Sequence, residues 1–330
     1  MPRHPRTNSR LALLSGGLLL AALSLLVSLL NGSADIPATE ILRHLFSNDG
    51  TLHNRIIDEL RLPRTLSAFA VGGVLALAGA LMQVLLRNPL GDPYVLGVSG
   101  GAAAAVLGGM LFGLQTLWLT PLAFAGAMLS ILLVFALGHR AEHGDTNRLL
   151  LSGVVMAAGW GALISLVLSL SPPMQLPGML FWLMGDLSDA LNPCPTLVIL
   201  ALGLGMAIWL APQLNLAVYG LQQAAVLGVD PKRLRLQLYF LASLLSAAAV
   251  SIAGAIGFVG LITPHLVRLL GGTDHRILLP VSVLLGGSLL VLADTAARTL
   301  ASPMQLPVGI LTALIGVPVF LWLLTRGANR

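Results

Sequence analysis

The chain has 330 residues, of which 56% are hydrophobic and only 9% are charged, and its mean hydropathy is +0.90. Soluble domains carry about 25% charged residues, so this composition predicts a polytopic membrane protein and leaves no room for a soluble catalytic domain. The net charge of +5 does not indicate nucleic-acid binding, because the basic residues are scattered singly between apolar runs. The single cysteine, Cys194, cannot form an intrachain disulfide and is interpreted as a packing residue.

The first apolar run, residues 11–30, follows a basic start that contains Arg3, Arg6 and Arg10. A secretory signal peptide is one interpretation of such a start. The run is longer than the usual apolar region of a signal peptide, however, and no A-x-A-like cleavage site follows it. The pattern therefore favours a retained first span.

Further apolar runs, bounded by charges, proline or glycine, predict ten transmembrane helices in all. The stretch 236–270 is too long for one helix, and Gly254, Gly257, Gly260 and Pro264 fall in its second half. We interpret it as a full span followed by a short broken one, because such residues are tolerated at membrane depth only where neighbouring protein satisfies the backbone. The predicted spans lie near residues 11–30, 65–86, 95–113, 117–138, 149–170, 197–211, 237–253, 256–270, 278–294 and 306–325.

The distribution of basic residues predicts the orientation of these spans. With ten spans and the amino terminus inside, 13 of the 18 Lys and Arg residues lie on the interior side. If 236–270 formed a single span, every later segment would change sides. Four interior basic residues would then lie outside and Arg298 would lie inside, which leaves 10 basic residues inside and 8 outside. The positive-inside rule therefore favours ten spans with both termini in the cytoplasm. The exterior side then holds Arg43, Arg55, Arg61, Arg64 and Arg298.

Three connecting segments have a predicted structure of their own. The external segment 31–63 is expected to carry a short amphipathic helix around residues 38–46. The piece 180–187 lies between prolines and is interpreted as an interfacial or re-entrant helix. The segment 212–235 is the longest internal connection and is polar enough to fold outside the bilayer.

The chain lacks a visible energy source for transport. A P-loop needs a lysine after its glycines, and the only lysine is Lys232, in D-P-K-R. Ion-coupled carriers place ionisable groups at mid-membrane, whereas nearly every acid here falls at the end of a predicted span or in a loop. His265 is the exception, as either a conduction residue or a hydrogen-bonded packing residue. A self-contained ion-coupled carrier is thus disfavoured.

The internal segment 220–235 contains signals for two helix ends. An amphipathic helix is expected to end at Gly228, a residue that tolerates the positive φ of a helix C-terminus. A second short helix can begin at Asp230 and Pro231, an N-cap followed by proline at the first position. This arrangement is typical of an ordinary surface helix pair or of a docking element for a separate protein.

One stretch of the chain resembles the coupling loop of ABC importer permeases, and three further stretches resemble the FecCD type of permease. The pattern G-x-x-x-A-x-x-L-G at 220–228 is similar to the coupling loop that seats in the ATPase subunit. Similarity to the FecCD type is carried by R-L-P-R-T-L through G-A-L-M-Q-V-L-L-R-N-P-L-G-D-P-Y-V-L-G-V-S-G-G-A at 61–102. It continues in G-A-I-G-F-V-G-L-I-T-P-H-L-V-R-L-L-G-G-T-D-H-R-I-L-L-P at 254–280, and in L-A-D-T-A-A-R with L-P-V-G-I-L-T-A-L-I-G-V-P-V-F-L-W-L-L at 292–324.

The resemblance implies an all-α, type II importer permease in the bacterial cytoplasmic membrane. It implies a homodimer with two ATPase subunits below it and a substrate-binding protein above it, which moves an iron-siderophore, haem or cobalamin by alternating access. The permease would have no cofactor and no catalytic residue, because ATP and Mg²⁺ are bound by the ATPase. Spans five and ten, with Phe181, Trp182 and Met184, are expected to line the path at the dimer axis, although these side chains are equally consistent with packing.

The resemblance also implies roles for individual residues. Exterior arginines would dock the binding protein through its carboxylates, the segment 220–231 would couple to the ATPase, and two loops would narrow the cytoplasmic end of the path. The docking residues are Arg61, Arg64 and Arg298; the coupling residues are Gly220, Ala224, Leu227, Gly228, Asp230 and Pro231; the gate residues are Thr146, Asn147, Asn88 and Leu90.

Simpler interpretations remain open for these residues and for the chain. The arginines could anchor helix ends at the membrane interface, and the gate loops could simply terminate helices, with Thr146 as a cap. The chain could also be a stand-alone carrier or channel, or a membrane-embedded sensor or assembly protein. The motifs do not choose among siderophore, haem and cobalamin.

Overall fold

In the computed structural model the chain forms an α-helical bundle, and the described residues contain no strand. The structure describes residues 7–32, 37, 52–139 and 146–327, so the helix predicted at 38–46 lies outside the described residues. We number the helices α1 Thr7–Leu30, α2 Leu62–Leu85, α3 Val98–Leu111, α4 Thr116–His139, α5 Thr146–Leu170, α6 Leu176–Leu183, α7 Cys194–Ala217, α8 Leu221–Val226, α9 Pro231–Ala253, α10 Val259–Leu269, α11 His275–Thr299 and α12 Val308–Gly327.

The long helices run back and forth between two ends of the bundle. We call these the Asp274 end and the Asp294 end, after a carboxylate that lies at each. Arg10, near the start of α1, pairs with Asp274, whereas Ser28, near the end of α1, bonds Arg298 at the end of α11. The two helices are therefore parallel, and each reaches from the Asp274 end to the Asp294 end.

A helix is present at each of the ten predicted spans. Seven of the described helices are long and apolar enough to cross a membrane, and three shorter apolar helices, Val98–Leu111, Val259–Leu269 and Val308–Trp322, accompany them. The predicted class, an all-α polytopic membrane protein, is confirmed. The helices differ from the predicted spans mainly in length, because several continue past the membrane-length apolar run into capped polar ends.

Helix α2 lies at the centre of the bundle, with almost all of its residues buried against α11, α9 and α10. Two close approaches of backbone make this packing possible. A Cβ at Gly72 would lie 2.3 Å from the carbonyl oxygen of Gly286, and one at Gly79 would lie 1.9 Å from that of Gly260. Small residues at such crossings let helices pack closely inside a membrane. Helix α5 lies at the periphery, where few of its residues are buried.

The break between α9 and α10 is enclosed by protein. Gly254 and Phe258 adopt positive φ values of +68° and +70°, which turn the chain away from the axis of α9. The carbonyl of Ala253 accepts from the backbone N–H of Asp186 at 2.9 Å, and the N–H of Ile256 donates to the hydroxyl of Tyr94 at 3.2 Å. Because α10 begins at mid-bundle, these partners satisfy backbone groups that lipid could not.

Two connecting segments differ from their predicted limits. Helix α6 occupies 176–183 instead of 180–187, because Gly185 takes a φ of +83° and ends it. The connection predicted at 212–235 shrinks to 218–230, since α7 continues to Ala217 and α9 starts at Pro231. The second short helix expected there is the first turn of α9, because an Asp N-cap followed by proline is compatible with the start of a long helix.

Candidate functional site

A buried charge cluster lies at the Asp294 end, where α11 packs against α2. Asp294 is 0% exposed and accepts from Arg64, whose Nε lies 3.1 and 3.2 Å from Oδ1 and Oδ2 and whose Nη2 lies 2.8 Å from Oδ1. Nε of Arg298 donates to Oδ2 of Asp294 at 2.9 Å. Both carboxylate oxygens are therefore paired, which a buried charge requires if its desolvation is to be offset.

Further hydrogen bonds connect this cluster to α1 and to the turn after α11. Nη2 of Arg298 donates to Oγ of Ser28 at 3.0 Å, and Ser28 bonds the hydroxyl of Thr65 at 2.8 Å. Nη1 of Arg64 donates to Oε1 of Gln305 at 3.2 Å. The cluster thus holds three helices and one turn together at this end of the bundle.

Arg61 binds the end of α1. It is the last residue of a short π-helix, Ile56–Arg61, that leads into α2, and its Nη1 donates to the carbonyl of Leu29 at 2.9 Å. This bond satisfies one of the carbonyls that the end of a helix leaves open. Arg61, Arg64 and Arg298 are only 4%, 9% and 5% exposed. Their docking role stays a prediction, and the structure adds that their side chains are almost fully buried.

The cluster has an excess of one positive charge, because the guanidiniums of Arg64 and Arg298 share the single carboxylate of Asp294. Charges interact more strongly at poorly solvated positions than in bulk water. The Asp294 end therefore offers a favourable environment for one further carboxylate.

An open cavity of about 720 Å³ lies at the same end. Its wall includes Gln305, which belongs to the charge cluster, and Phe181 and Trp182 of α6. Asp186 and Asp189 also line it. Two of the side chains expected to line the transport path thus border a cavity of mixed apolar and acidic character.

A glutamine on α2 supports the short helix α10. Pro264 has no N–H, so the carbonyl of Gly260 loses its usual partner within the helix. Nε2 of Gln83 donates to this carbonyl at 3.4 Å and to that of Leu261 at 3.1 Å, and Oε1 of Gln83 accepts from Arg268. The side chain therefore replaces a missing backbone donor and ties α10 to α2.

At the Asp274 end, a second polar cluster joins α7, α11 and α1. Asn215, two residues before the end of α7, donates through Nδ2 to Asp274 at 2.8 Å and accepts from the backbone N–H of His275 at 2.9 Å. Asp274 caps α11 by accepting from the N–H of Arg276 at 3.0 Å, and its other oxygen lies 3.5 Å from Nη2 of Arg10.

The environment of Asp274 stabilises its charged form. Partial burial by itself raises the pKa of this carboxyl, but the hydrogen bonds from Asn215 and Arg276 and the charges of Arg10 and Arg276 outweigh it and lower the pKa below its usual range. A carboxylate with a lowered pKa contributes stability at neutral pH that is lost when the pH falls through its folded-state pKa. The hydrogen bond between Asn215 of α7 and Asp274, which caps α11, is therefore stable at neutral pH.

The predicted coupling residues lie together in the connection between α7 and α9. Gly220 and Gly228 have φ values of +120° and +88°, which bend the chain into and out of the short helix α8. Ala224 is fully buried against the bundle, whereas Leu227 is 65% exposed. Asp230 caps α9 by accepting from the backbone N–H of Lys232 at 2.9 Å, and Pro231 is the first residue of that helix.

The predicted gate residues belong to the ends of two helices. Oδ1 of Asn88 accepts from the backbone N–H of Leu90 at 2.9 Å, which closes a tight turn after α2 with both residues exposed. Helix α5 begins at Thr146 and continues through Asn147. The side chains of Thr146 and Asn147 lie outside the described part of the structure. The gate role stays a prediction.

The structure also gives the surroundings of His265, in α10. Its Nδ1 is buried and has no hydrogen-bond partner within the described residues. The same part of the chain contains no group of three or more His, Cys, Asp or Glu side chains placed to hold a metal ion. The conduction role of His265 stays a prediction, as does the alternative of a packing residue.

Sequence reasoning missed three residues that organise these sites. Asp294 was interpreted as the end of a span, but α11 continues to Thr299, because Arg298, four residues later, neutralises the buried carboxylate. The i, i+4 spacing of Asp294 and Arg298 was the available signal. Gln83 and Asn215 gave no comparable signal, since their partners lie 177 and 59 residues away in the chain.

This chain is similar to known proteins in sequence and in fold. Residues 19–326 match the model of the FecCD transport family. The cobalamin import system permease protein BtuC of Halobacterium salinarum is 44% identical over 275 residues, which cover 82% of this chain and 73% of that relative. The hemin transport system permease protein HmuU of Yersinia pestis is 41% identical over 321 residues, which cover 92% and 94%.

A solved structure of a metal-chelate type ABC transporter in an inward-facing conformation superimposes with a TM-score of 0.84 and 33% identity. The match covers 95% of this chain and 98% of that chain. The resemblance read from the four motifs is confirmed, and the predicted permease architecture with it.

Proposed function

The chain belongs to the FecCD transport family, and from this membership we propose that it is the permease subunit of an ATP-driven importer. The proposed cargo is a metal chelate or corrinoid: an iron-siderophore, haem or cobalamin. Relatives belong to cobalamin and hemin transport systems, which supports these cargo classes but does not select one of them. The permease catalyses no covalent change, and a separate ATPase subunit binds ATP and Mg²⁺.

The observation that carries the proposal is the exposed apolar surface of the connection between α7 and α9. Val226 and Leu227 are 88% and 65% exposed on a short helix at the polar end of the bundle. Two glycines with positive φ hold this helix against the bundle through Ala224. Apolar side chains held outside the membrane region in this way mark a protein interaction site, and we assign it to the ATPase.

The Asp274 end is assigned to the cytoplasm. The counting of basic residues supports this orientation, which places the coupling segment beside the ATPase and both termini inside. The exposed turn of Asn88 and Leu90 and the start of α5, with Thr146 and Asn147, would then narrow the inner end of the path. The Asp294 end faces outward, towards a soluble substrate-binding protein.

The proposed assembly contains two copies of the permease, two copies of the ATPase and one binding protein. The exposed apolar sides of α5 and α12, where Leu151 is 64% and Leu314 is 67% exposed, are available to lipid and to a second copy. A path at the two-fold axis between these helices would pass the aromatic residues of α6. Alternating access of that path, driven by ATP in the partner, is the proposed mechanism.

The assignment of the two ends predicts a sidedness of chemical labelling. The chain has one cysteine, Cys194, at the start of α7 and the Asp294 end. It is exposed, so its interpretation as a packing residue is wrong. In right-side-out membrane vesicles, we expect a membrane-impermeant maleimide to label Cys194 in the unmodified chain. The double variant Cys194→Ser, Val226→Cys should be labelled only in inside-out vesicles. Labelling of Val226→Cys from the outside would reverse the topology and remove the ATPase from the coupling segment.

The coupling segment predicts a selective loss of ATPase binding. Val226→Asp places a charge in an apolar contact, so we expect the ATPase subunit to dissociate during detergent purification and ATP-driven uptake to be lost. Gln222→Ala, an exposed polar change on the same helix, is the matched control and should retain the ATPase. Both side chains are exposed, so thermal unfolding of the permease should not change. An intact, fully active Val226→Asp complex contradicts this role.

The function itself is tested by reconstitution in liposomes. Uptake of labelled cobalamin, haem and a ferric siderophore is measured with the permease alone, with the ATPase, and with the ATPase and the binding protein. We expect uptake of one cargo class only in the presence of the ATPase, the binding protein and ATP. Uptake by the permease alone would instead establish a stand-alone carrier.

A further inference from the structure

The Arg64, Asp294 and Arg298 cluster bears on how the binding protein is recognised, and the inference rests on the proposed importer function. Asp294 contacts Arg64 through the Nε and Nη2 edge and Arg298 through Nε. Neither arginine uses its Nη1 atom to bind Asp294. Nη1 of Arg64 donates to Gln305, and Nη1 of Arg298 has no acceptor within the described part of the chain.

The bond to Gln305 is the weakest of the hydrogen bonds that Arg64 makes in the cluster. It is a 3.2 Å contact to a neutral amide oxygen, whereas the bonds of Arg64 to Asp294 involve a carboxylate and reach 2.8 Å. An arginine–carboxylate pair combines two opposite charges with bidentate geometry, whereas the amide oxygen of Gln305 offers neither. A carboxylate arriving from outside could therefore replace Gln305 without displacing Asp294.

The position of Gln305 makes this exchange possible. It lies in the turn between α11 and α12 and also lines the open cavity at the Asp294 end. The neighbouring Met304 is 68% exposed. Gln305 therefore lies between the buried guanidinium of Arg64 and the surface. Asp294 binds the other two nitrogen atoms of that guanidinium.

We propose that Asp294 is the positioning residue of the binding-protein docking site, and that Gln305 occupies Nη1 of Arg64 until a carboxylate of the binding protein replaces it. Asp294 holds both arginines by their inner edges and leaves one net positive charge. The incoming carboxylate neutralises that charge. Docking is thereby specific for an acidic side chain that reaches past the surface, and not for any anionic surface.

Variants at Gln305 test the exchange. Gln305→Glu supplies a carboxylate from within the chain, so we expect association with the cognate binding protein to slow by about tenfold at low ionic strength. Gln305→Ala frees Nη1, so association should be as fast as in the unmodified chain or faster. Met304→Glu adds the same charge on the same turn without contact to Arg64, and its effect should be clearly smaller.

Three outcomes overturn the proposal. Equal slowing by Gln305→Glu and Met304→Glu shows a general charge effect, and equal slowing by Gln305→Glu and Gln305→Ala shows that the glutamine itself contacts the partner. Unchanged association in all three variants removes Arg64 from docking. In each case, ATP- and partner-dependent uptake by the unmodified chain shows that the importer function still holds; its absence overturns that function instead.

Asp294→Asn distinguishes positioning from simple attraction. Removal of a negative charge should, by attraction alone, strengthen binding to an acidic partner. Loss of positioning should instead accelerate dissociation, by at least about tenfold if one well-placed charged contact is lost. Slower dissociation from Asp294→Asn contradicts the positioning role. If this variant does not fold, the Gln305 and Met304 variants test the proposal by themselves.

Discussion

Replacement of Asp294 by asparagine is expected to lower the free energy of unfolding by about 3–5 kcal/mol, the usual cost of leaving a buried charge unpaired. The variant keeps the size of the side chain but leaves the guanidiniums of Arg64 and Arg298 without their shared carboxylate. Arg64 and Arg298 are only 9% and 5% exposed, so water replaces that partner poorly. Thermal unfolding of the purified permease in detergent should show a clear fall in the midpoint.

A matched control separates this effect from the chemical change itself. Asp230→Asn makes the same substitution at an exposed N-cap, where asparagine is as good a cap as aspartate. It should change the unfolding midpoint little. A similar midpoint for Asp294→Asn would show that the cluster is solvated and contributes little to the fold.

Replacement of all three charges separates stability from docking. Arg64→Met, Asp294→Leu and Arg298→Met together remove the cluster without leaving an unpaired charge. Apolar replacement of a buried ion cluster is often neutral or stabilising, so the triple variant should be more stable than Asp294→Asn alone. It should nevertheless fail to bind the binding protein, because no guanidinium of the cluster remains. Retained binding by a well-folded triple variant is the result that removes the cluster from docking.

The second large effect is expected from Gly79→Ala. The added Cβ would lie 1.9 Å from the carbonyl oxygen of Gly260 and 2.4 Å from its carbonyl carbon. Both atoms are backbone, so no side-chain rotation can relieve the overlap, and α10 must move away from α2. Such overpacking costs about 1–3 kcal/mol or more. We expect a lower unfolding midpoint and impaired uptake, because the displacement also pulls α10 away from Gln83.

Gly16→Ala is the control for the loss of a helical glycine. A Cβ at Gly16 meets nothing within 4 Å. Since alanine has a higher helix propensity than glycine by about 1 kcal/mol, this variant should be as stable as the unmodified chain or more so. An unchanged midpoint for Gly79→Ala would mean that α10 tolerates a different position against α2, and that the glycine crossing does not determine the packing.

The sequence could predict features that depend on local composition. The number and order of the spans follow from apolar runs, because each must be long enough to cross the hydrocarbon core. The ends of α8 and α9 follow from Gly228, Asp230 and Pro231, since caps act within one helical turn. The family follows from continuous motifs. Each of these signals lies within a few tens of residues of the chain.

Contacts between distant segments were beyond the sequence and were decided by the tertiary structure. The sequence placed Arg64 on the exterior side but could not reveal its partner Asp294, which lies 230 residues away on another helix. Gln83 and Asn215 were not predicted as site residues for the same reason. An arginine looks the same in a sequence whether its guanidinium binds a buried carboxylate or a docking partner. Only the packing of α2 against α11 shows which groups Arg64 contacts and which of its nitrogen atoms remain available.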